Sequence, residues 1–555
     1  MTVKPLLAQS LAPQYTLPNV ESISVSKQSL LIGQARLSRG FQLLLDSDNQ
    51  HMFIADQAAI DRKLIVESLY HHHVSEADQR ANGASYLHGA IRRYQLTGTI
   101  DPRSGALTPG IFSQTGPVFI CAESLWKREP LWELLLQALT DGYFSIGHQQ
   151  HPFTCKVVLI GPSQLYSLAY LEERSFQQHF AILGELVNEI ALAELTKADD
   201  SHMALDQCSM SEYAQWLVTL ADTHAITLAQ SALTALFSYS ARLAEHQQHL
   251  SLLSTPISQL LCQSAAISKR KHLDGEDIKL ALQHIEFRHN ASKLLSAQNF
   301  DEKFISLQTD GEVIGQINGL TVLDMAEYSY GEPARITASV HYGDGEVADI
   351  ERKSELGGNI HAKGMMILSS CLYRIFGKDA PLHLNANIVF EQSYQEIDGD
   401  SASLAEYCAL ISAITDKPIQ QGIAATGAID QFGNVQAIGG VNEKIEGFFE
   451  LCRKRGLNGN QGVIIPTANV QQLNLNQDVI KAVQDKQFSL YQVSHIDEAV
   501  ELLTNVSAGE ANEHNQFPTD TLYGLVQSRL EALAGYQEPE LSFFERLLDK
   551  LKISS

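Results

Sequence analysis

Apolar and polar positions change period several times along the chain. Leu382, Leu384, Ala386, Ile388 and Phe390 alternate at period two, the pattern of a strand with one buried face. Just beyond them, "IDGDSASLAEYCALISA" (397–413) begins polar and turns apolar, with Leu404, Ala405, Cys408, Ile411 and Ile414 near helical spacing. Ser401 therefore lies at a strand-to-helix crossing, where it can act as a helix cap or, given a base, as a nucleophile. A second helix is predicted in "IGGVNEKIEGFFELCRKRG" (438–456). Ile445, Phe448, Phe449 and Cys452 form its apolar stripe, Arg453 to Arg455 its last turn, and Gly456 suits the C-cap. The helix then starts near Asn442, with Lys444 in its first turn.

On a coarser scale the pattern divides the chain. Residues 1–28, rich in Ser, Pro and Gln, read as a loose N-terminal arm. Over 29–205, short apolar runs such as "HMFIA" (51–55), "PVFICA" (117–122) and "CKVVLIG" (155–161) alternate with helical segments, which predicts a parallel α/β sheet. Residues 206–295 are helical in period, and "DGEDIKLALQHIEFRH" opens on Asp274 as a cap. Strands and helices return over 296–505, and 506–555 reads as a polar linker followed by the amphipathic stretches "LYGLVQSRLEALAG" and "LSFFERLLDKLK". A chain of 555 residues is expected to hold three or four domains at roughly 150 residues each.

Composition narrows the function. With 40 basic and 64 acidic side chains the net charge is -24, which disfavours nucleic acid and anionic membrane as partners. The seven cysteines are scattered, never in C-x-x-C spacing, as expected of buried thiols in a reducing cytoplasm. "PLLAQSLAPQ" is too short and interrupted for a signal-peptide core, and no apolar run is long enough to span a membrane. The triple His at 71–73 and the two HQQH stretches at 148–151 and 246–249 lack a third ligand at matched spacing, and no H-E-x-x-H occurs, so no metal is expected.

The strand "HMFIA" is followed by the place for a phosphate-cradling loop, G-x-x-x-x-G-K-[ST]. The residues there are Asp56, Gln57, Ala58, Ala59, Ile60, Asp61, Arg62 and Lys63. Carboxylates stand where both glycines belong, and they repel phosphate. After the second strand, Glu123 is kept, but Ala122 replaces the expected magnesium-binding Asp. No nucleotide cofactor is expected.

For Ser401 to act as a nucleophile it needs a base, and no G-x-S-x-G elbow or evident Ser-His-Asp set accompanies it. Lys444 is the alternative. An ordinary lysine, with a pKa near 10.4, is neutral in only about one molecule in 2,500 at pH 7. Apolar burial and the positive end of the helix dipole both lower that value, and a drop of about three units costs roughly 4 kcal/mol of stability. A solvated helix lysine remains the other reading. Backbone N–H groups near the start of the Ser401 helix, freed by Gly399, suit a developing oxyanion.

Taken together, "DGDSAS" (398–403), "ATGAI" (425–429) and "IGGVNEKI" (438–445), with a separation of 43 positions from Ser401 to Lys444, resemble the proteolytic domain of the Lon protease family. The likeness extends over about 29–505, and "GDSA" is closer to archaeal-type than to bacterial Lon. It implies a multidomain α/β chain: a degenerate AAA+-like α/β domain, a helical lid domain and a Lon-type α+β proteolytic domain. By the resemblance, Ser401 is the nucleophile and Lys444 the base of a serine endopeptidase, and Thr426 hydrogen-bonds the lysine. Asp398 matches an acidic position flanking the serine loop.

The resemblance further implies unfolded polypeptide substrates, a homohexameric ring and a cytoplasmic setting; as departures from the family pattern, neither a leading LON domain nor a membrane insertion is expected. Its degenerate nucleotide loops put ATP use in question. The alternatives are a ring-forming binding protein with latent peptidase activity and an ATP-dependent Lon peptidase.

Overall fold

A computed structural model describes residues 3–74, 84–101, 103–194, 207–325, 328–343, 345, 347–353, 356–377, 382–393 and 397–535. The chain forms two compact units, Gln14–Ile285, and Met1–Pro13 together with Glu286–Ser555.

In the first unit, strands β1 (Met52–Asp56), β2 (Tyr86–Leu87), β3 (Gly116–Cys121), β4 (Cys155–Pro162) and β5 (Ile182–Glu185) form an all-parallel sheet in the order β2-β3-β4-β1-β5. Successive residues feed opposite faces. Phe53, Ala55 and Leu159 join one core cluster, while Met52, Ile54, Val158 and Ile160 join another. Burial on both faces explains why these strands read as continuous apolar runs.

Helices α1 (Ala35–Asp46) and α2 (Arg62–His73) belong to the same unit. The helical part follows with α3 (Met210–Asp222), α4 (Gln230–Leu243), α5 (Ser254–Ser268) and α6 (Gly275–His289), packed around Tyr213, Trp216, Leu236 and Phe237. Asp274 caps α6 as its position predicted, accepting from the N–H groups of Glu276 and Asp277 at 3.0 and 3.1 Å.

The second unit is built on a mixed seven-stranded sheet: β6 (Gln316–Asp324), β7 (Ser329–Tyr342), β8 (Val347–Asp349), β9 (Leu384–Glu391), β10 (Ile423–Ala425), β11 (Gln461–Pro466) and β12 (Phe488–Val493), in the order β8-β9-β7-β6-β10-β11-β12. Strand β9 alternates buried and half-buried residues throughout, as the period of 382–390 predicted. Helices α7 (Ala291–Asp301), α8 (Asn359–Phe376), α9 (Ser403–Thr415), α10 (Val441–Arg455), α11 (Ile496–Thr504) and α12 (Leu522–Gly535) belong to the same unit.

One face of the sheet buries Ile336, Ala425 and Ile464 with α8, α9, α11 and α12; the other buries Leu320, Ala424, Val463 and Ile465 with α10. The serine and lysine helices thus pack on opposite faces of one sheet. Their first turns can meet only at its edge or through a gap in it.

The N-terminal stretch read as a loose arm is packed instead. Leu11 is fully buried in the second unit, Leu6 N–H donates to Leu490 O at 2.7 Å, and the Tyr15 ring meets Phe237 within the first unit. Its apolar residues supply the reason. The stretch "LSFFERLLDKLK" lies outside the described residues.

Candidate active site

Ser401 lies in the turn before α9, whose N-cap is Ala402, and the Ser401 side chain caps nothing. Its Oγ accepts a hydrogen bond from Lys444 Nζ at 2.8 Å. The turn is fastened on two sides. Ser403 donates to Asp400 O through both Oγ (2.8 Å) and N–H (3.1 Å), while Ser401 O accepts from Gly427 N–H at 2.8 Å and Leu404 N–H donates to Gly427 O at 3.0 Å. Gly399, at φ +118°, supplies the bend that a side chain would strain.

Thr426 sits between the two. Its Oγ1 donates to Ser401 O at 3.2 Å and accepts from Lys444 Nζ at 3.3 Å, and the residue is fully buried at the end of β10. Two hydroxyls from separate segments of the sequence thus converge on the Lys444 amine.

Lys444 is 3% exposed, in the first turn of α10, which Gly440 enters at φ +63°. Burial pushes its pKa down to about 8, and the nearby Asp400 carboxylate only partly opposes the fall. At that value about one lysine in ten is neutral at pH 7. Among the described residues no carboxylate lies within ion-pair distance of it.

A feature that period and motif do not reveal sets how close α10 comes. A Cβ on Gly331 of β7 would overlap the Glu443 carbonyl, and one on Gly447 would overlap the Gly331 carbonyl. Two glycines 116 residues apart therefore let helix and strand backbones touch beside Lys444.

Asp398 is placed differently from Ser401, Thr426 and Lys444. Its Oδ1 accepts from Ile360 N–H at 3.0 Å and His361 N–H at 3.4 Å, so its carboxylate caps α8. It lines the same cleft as Ser401 and Lys444, a space of about 1030 Å³ that also meets Arg335, Glu391 and Asp400.

Sequence comparison identifies the domains that carry these residues. Residues 366–505 match the Lon protease (S16) C-terminal proteolytic domain, and residues 227–288 match the archaeal LonB AAA+ ATPase LID domain. A protein of Haemophilus influenzae named "Putative Lon protease homolog" is 36% identical over 475 residues, covering 82% of this chain and 76% of its own length. A protein of Escherichia coli with the same name is 36% identical over 467 residues, covering 81% and 76%. The chain belongs to the Lon protease family. An archaeal Lon protease of Archaeoglobus fulgidus is 28% identical over 278 residues, 49% of this chain and 41% of that protein. The chain is thus a Lon-family peptidase with a LonB-type lid.

In this Lon protein the place of the phosphate loop is filled from within. Asp61 caps α2, accepting from Lys63 N–H at 2.9 Å and Leu64 N–H at 3.2 Å. A carboxylate thus holds the helix N-terminus that a phosphate would use. Arg62, at the lysine position of the loop, pairs with Asp56 (2.5 Å) and Glu123 (2.7 Å) and donates to Cys121 Sγ at 3.3 Å. The two carboxylates hold the guanidinium well above its ordinary pKa despite burial. Ala122 is fully buried in the core.

Beneath the Lon serine loop is a charged cluster that the sequence did not reveal, because its members are 12 and 45 residues apart. His361 Nε2 is 3.2 Å from Asp349 Oδ2 and 3.9 Å from Glu406 Oε1, all three buried. Burial pushes Glu406 up to about 7, opposed by His361 and reinforced by Asp349 and Glu351. His361 is held above the ordinary imidazole value by its carboxylates, against the effect of burial.

Six cysteines are buried and Cys262 is exposed. Among the described residues no group of three His, Cys, Asp or Glu side chains could hold a metal, and no helix is long and apolar enough to cross a membrane.

Proposed function

We propose that this Lon-family protein is a serine endopeptidase that cleaves unfolded polypeptide with a Ser401/Lys444 dyad, without efficient ATP hydrolysis. The observation that carries the reading is the 2.8 Å contact between Ser401 Oγ and a lysine that is buried and shifted toward neutrality.

Neutral Lys444 takes the hydroxyl proton as Ser401 Oγ attacks the peptide carbonyl, and returns it to the departing amine. The acyl-enzyme remains. Lys444 then takes a proton from water, the hydroxide equivalent resolves the ester, and Ser401 is regenerated. Thr426 orients the amine toward Oγ. Leu404 N–H is used by Gly427 O and Ser403 N–H by Asp400 O, so the Ser401 and Ala402 N–H groups, ahead of α9 itself, are the ones available to the oxyanion. Asp398 acts by holding α8 against the serine loop.

Absence of efficient ATP use is supported by the Asp61 cap and the Arg62 pairs with Asp56 and Glu123, which occupy the phosphate position with internal charge. Substrates must then arrive unfolded. A homohexameric ring in the cytoplasm is carried by the family resemblance, and light scattering of the purified chain tests the ring.

The test of function is cleavage of a fluorescent unfolded protein without nucleotide, beside Ser401→Ala. Cleavage lost in the variant is expected. If the wild type does not cleave even with ATP, the dyad reading fails in favour of a ring-forming binding protein; cleavage that needs ATP would restore the motor.

A further inference from the structure

Arg335 lies on central strand β7, opposite Asn318 of β6 and Glu391 of β9. Its neighbour Ile336 faces the core, so Arg335 projects from the other face of the pleat. It lines the cleft that holds Ser401 and Lys444.

A guanidinium offers five donors in a planar fork suited to a carboxylate. Arg335 uses none of them in a hydrogen bond to the described protein. Its Nε is buried without a partner, and the nearest carboxylate oxygen, Glu391 Oε2, stays 3.9 Å from Nη2. Thr337 explains the gap: its Oγ1 donates to Glu391 Oε1 at 2.8 Å and holds that carboxylate back. Nε is the one donor shown buried and unpaired, the side chain as a whole being 22% exposed, and a buried unpaired donor is unfavourable in a folded protein. A ligand oxygen relieves it.

The surrounding lining sharpens the specificity. Glu332, Glu391, Asp398 and Asp400 also line the cleft, and of its two cationic side chains among the described residues, Lys444 is engaged with Ser401 and Thr426. Gln392 is already engaged by the 304–306 segment: it accepts from Ser306 N–H and donates to Phe304 O. A polypeptide carboxylate in this cleft is repelled at most positions and welcomed at one.

We propose that Arg335 is a specificity residue that takes a substrate carboxylate in a two-bond fork, so that a polypeptide with an acidic group at the position seated there binds preferentially. The inference rests on the reading that the cleft holds polypeptide. An Asp or Glu side chain and a free C-terminus offer the same chemistry.

The experiment measures binding by fluorescence anisotropy in the Ser401→Ala chain, so that affinity is read without cleavage. Labelled, otherwise neutral peptides carry one Glu or one Gln stepped along their length, each with a free or an amidated C-terminus. The best Glu peptide is expected to bind about tenfold tighter than its Gln partner, as for a hydrogen-bonded charge pair. That ratio should fall to about one on adding Arg335→Met, while Arg335→Lys keeps part of it, because a lysine retains the charge without the fork. A preference that follows the free terminus and disappears in Arg335→Met supports the same site with the terminal carboxylate as ligand. Equal binding of all pairs by the Ser401→Ala chain, or a ratio unmoved by Arg335→Met, overturns the proposal. Cleavage by the wild type is scored separately; its failure sinks the peptidase reading and leaves the binding ratio to decide on Arg335.

Discussion

Gly447 of α10 lies so close to Gly331 of β7 that neither could carry a Cβ without overlapping the other segment's backbone. This contact sets the height of the lysine helix over the sheet, and so the 2.8 Å distance from Lys444 Nζ to Ser401 Oγ. Gly447→Ala must push α10 outward. We expect peptide cleavage to fall on the order of a hundredfold, the usual penalty for a misplacement near 1 Å. Cleavage rates compared with a thermal melt check it: a variant that folds and cleaves normally would show that the approach is not needed.

The pH dependence of cleavage follows from the lysine. In the proposed mechanism neutral Lys444 is the base, and its pKa is pushed down to about 8, so kcat/KM should rise about tenfold per pH unit below that value and level off above it. A pH–rate profile on an uncharged peptide reads this directly. A rate already flat below neutrality would contradict a lysine base.

The same shift has a cost in stability. The folded pKa lies below the ordinary value of 10.5, so the folded chain binds fewer protons than the unfolded one between about 8 and 10.5, and wild-type stability rises with pH through that window. Below it, the penalty is fully present. Lys444→Met should therefore be more stable than wild type at pH 7, by at most about 3 kcal/mol, with the gain shrinking as pH rises toward 10. Denaturant unfolding at the two pH values checks both the sign and the trend.

At the phosphate position, Arg62 neutralises Asp56 and Glu123 together, with Asp56 6% and Glu123 31% exposed at the side chain. Arg62→Met leaves two carboxylates facing each other and should cost on the order of 2–4 kcal/mol, less than a fully buried pair because Glu123 is partly solvated. Unfolding of the full chain measures it. Adding ATP to the wild type should leave the melting temperature unmoved, since a ligand that binds the folded state raises it.

Much of the site was legible because its parts are local. The alternation of 382–390 marked the strand before the serine loop, the stripe from Ile445 to Cys452 marked the lysine helix, and the spacing of "GDSA", "ATG" and "GGVNEK" joined them through a family resemblance. The replacement of loop glycines by Asp56 and Asp61 was also visible. What period and spacing could not convey was that Asp61 would act as a cap and Arg62 as a clamp, because both depend on which groups the folded sheet brings near.

The sequence by itself determined the element types, their order and the residues able to do acyl-transfer chemistry, since hydrophobic period and local caps act over a few residues. It left Ser401 between cap and nucleophile, and Lys444 between solvated and buried. Only the tertiary structure showed that Ser401 caps no helix and that Lys444 is buried against it, by packing α9 and α10 on opposite faces of one sheet and letting two glycines bring the lysine helix down beside Thr426. Desolvation, which pushes the lysine pKa down, comes from the whole surrounding core and so has no signature in any single stretch of the chain.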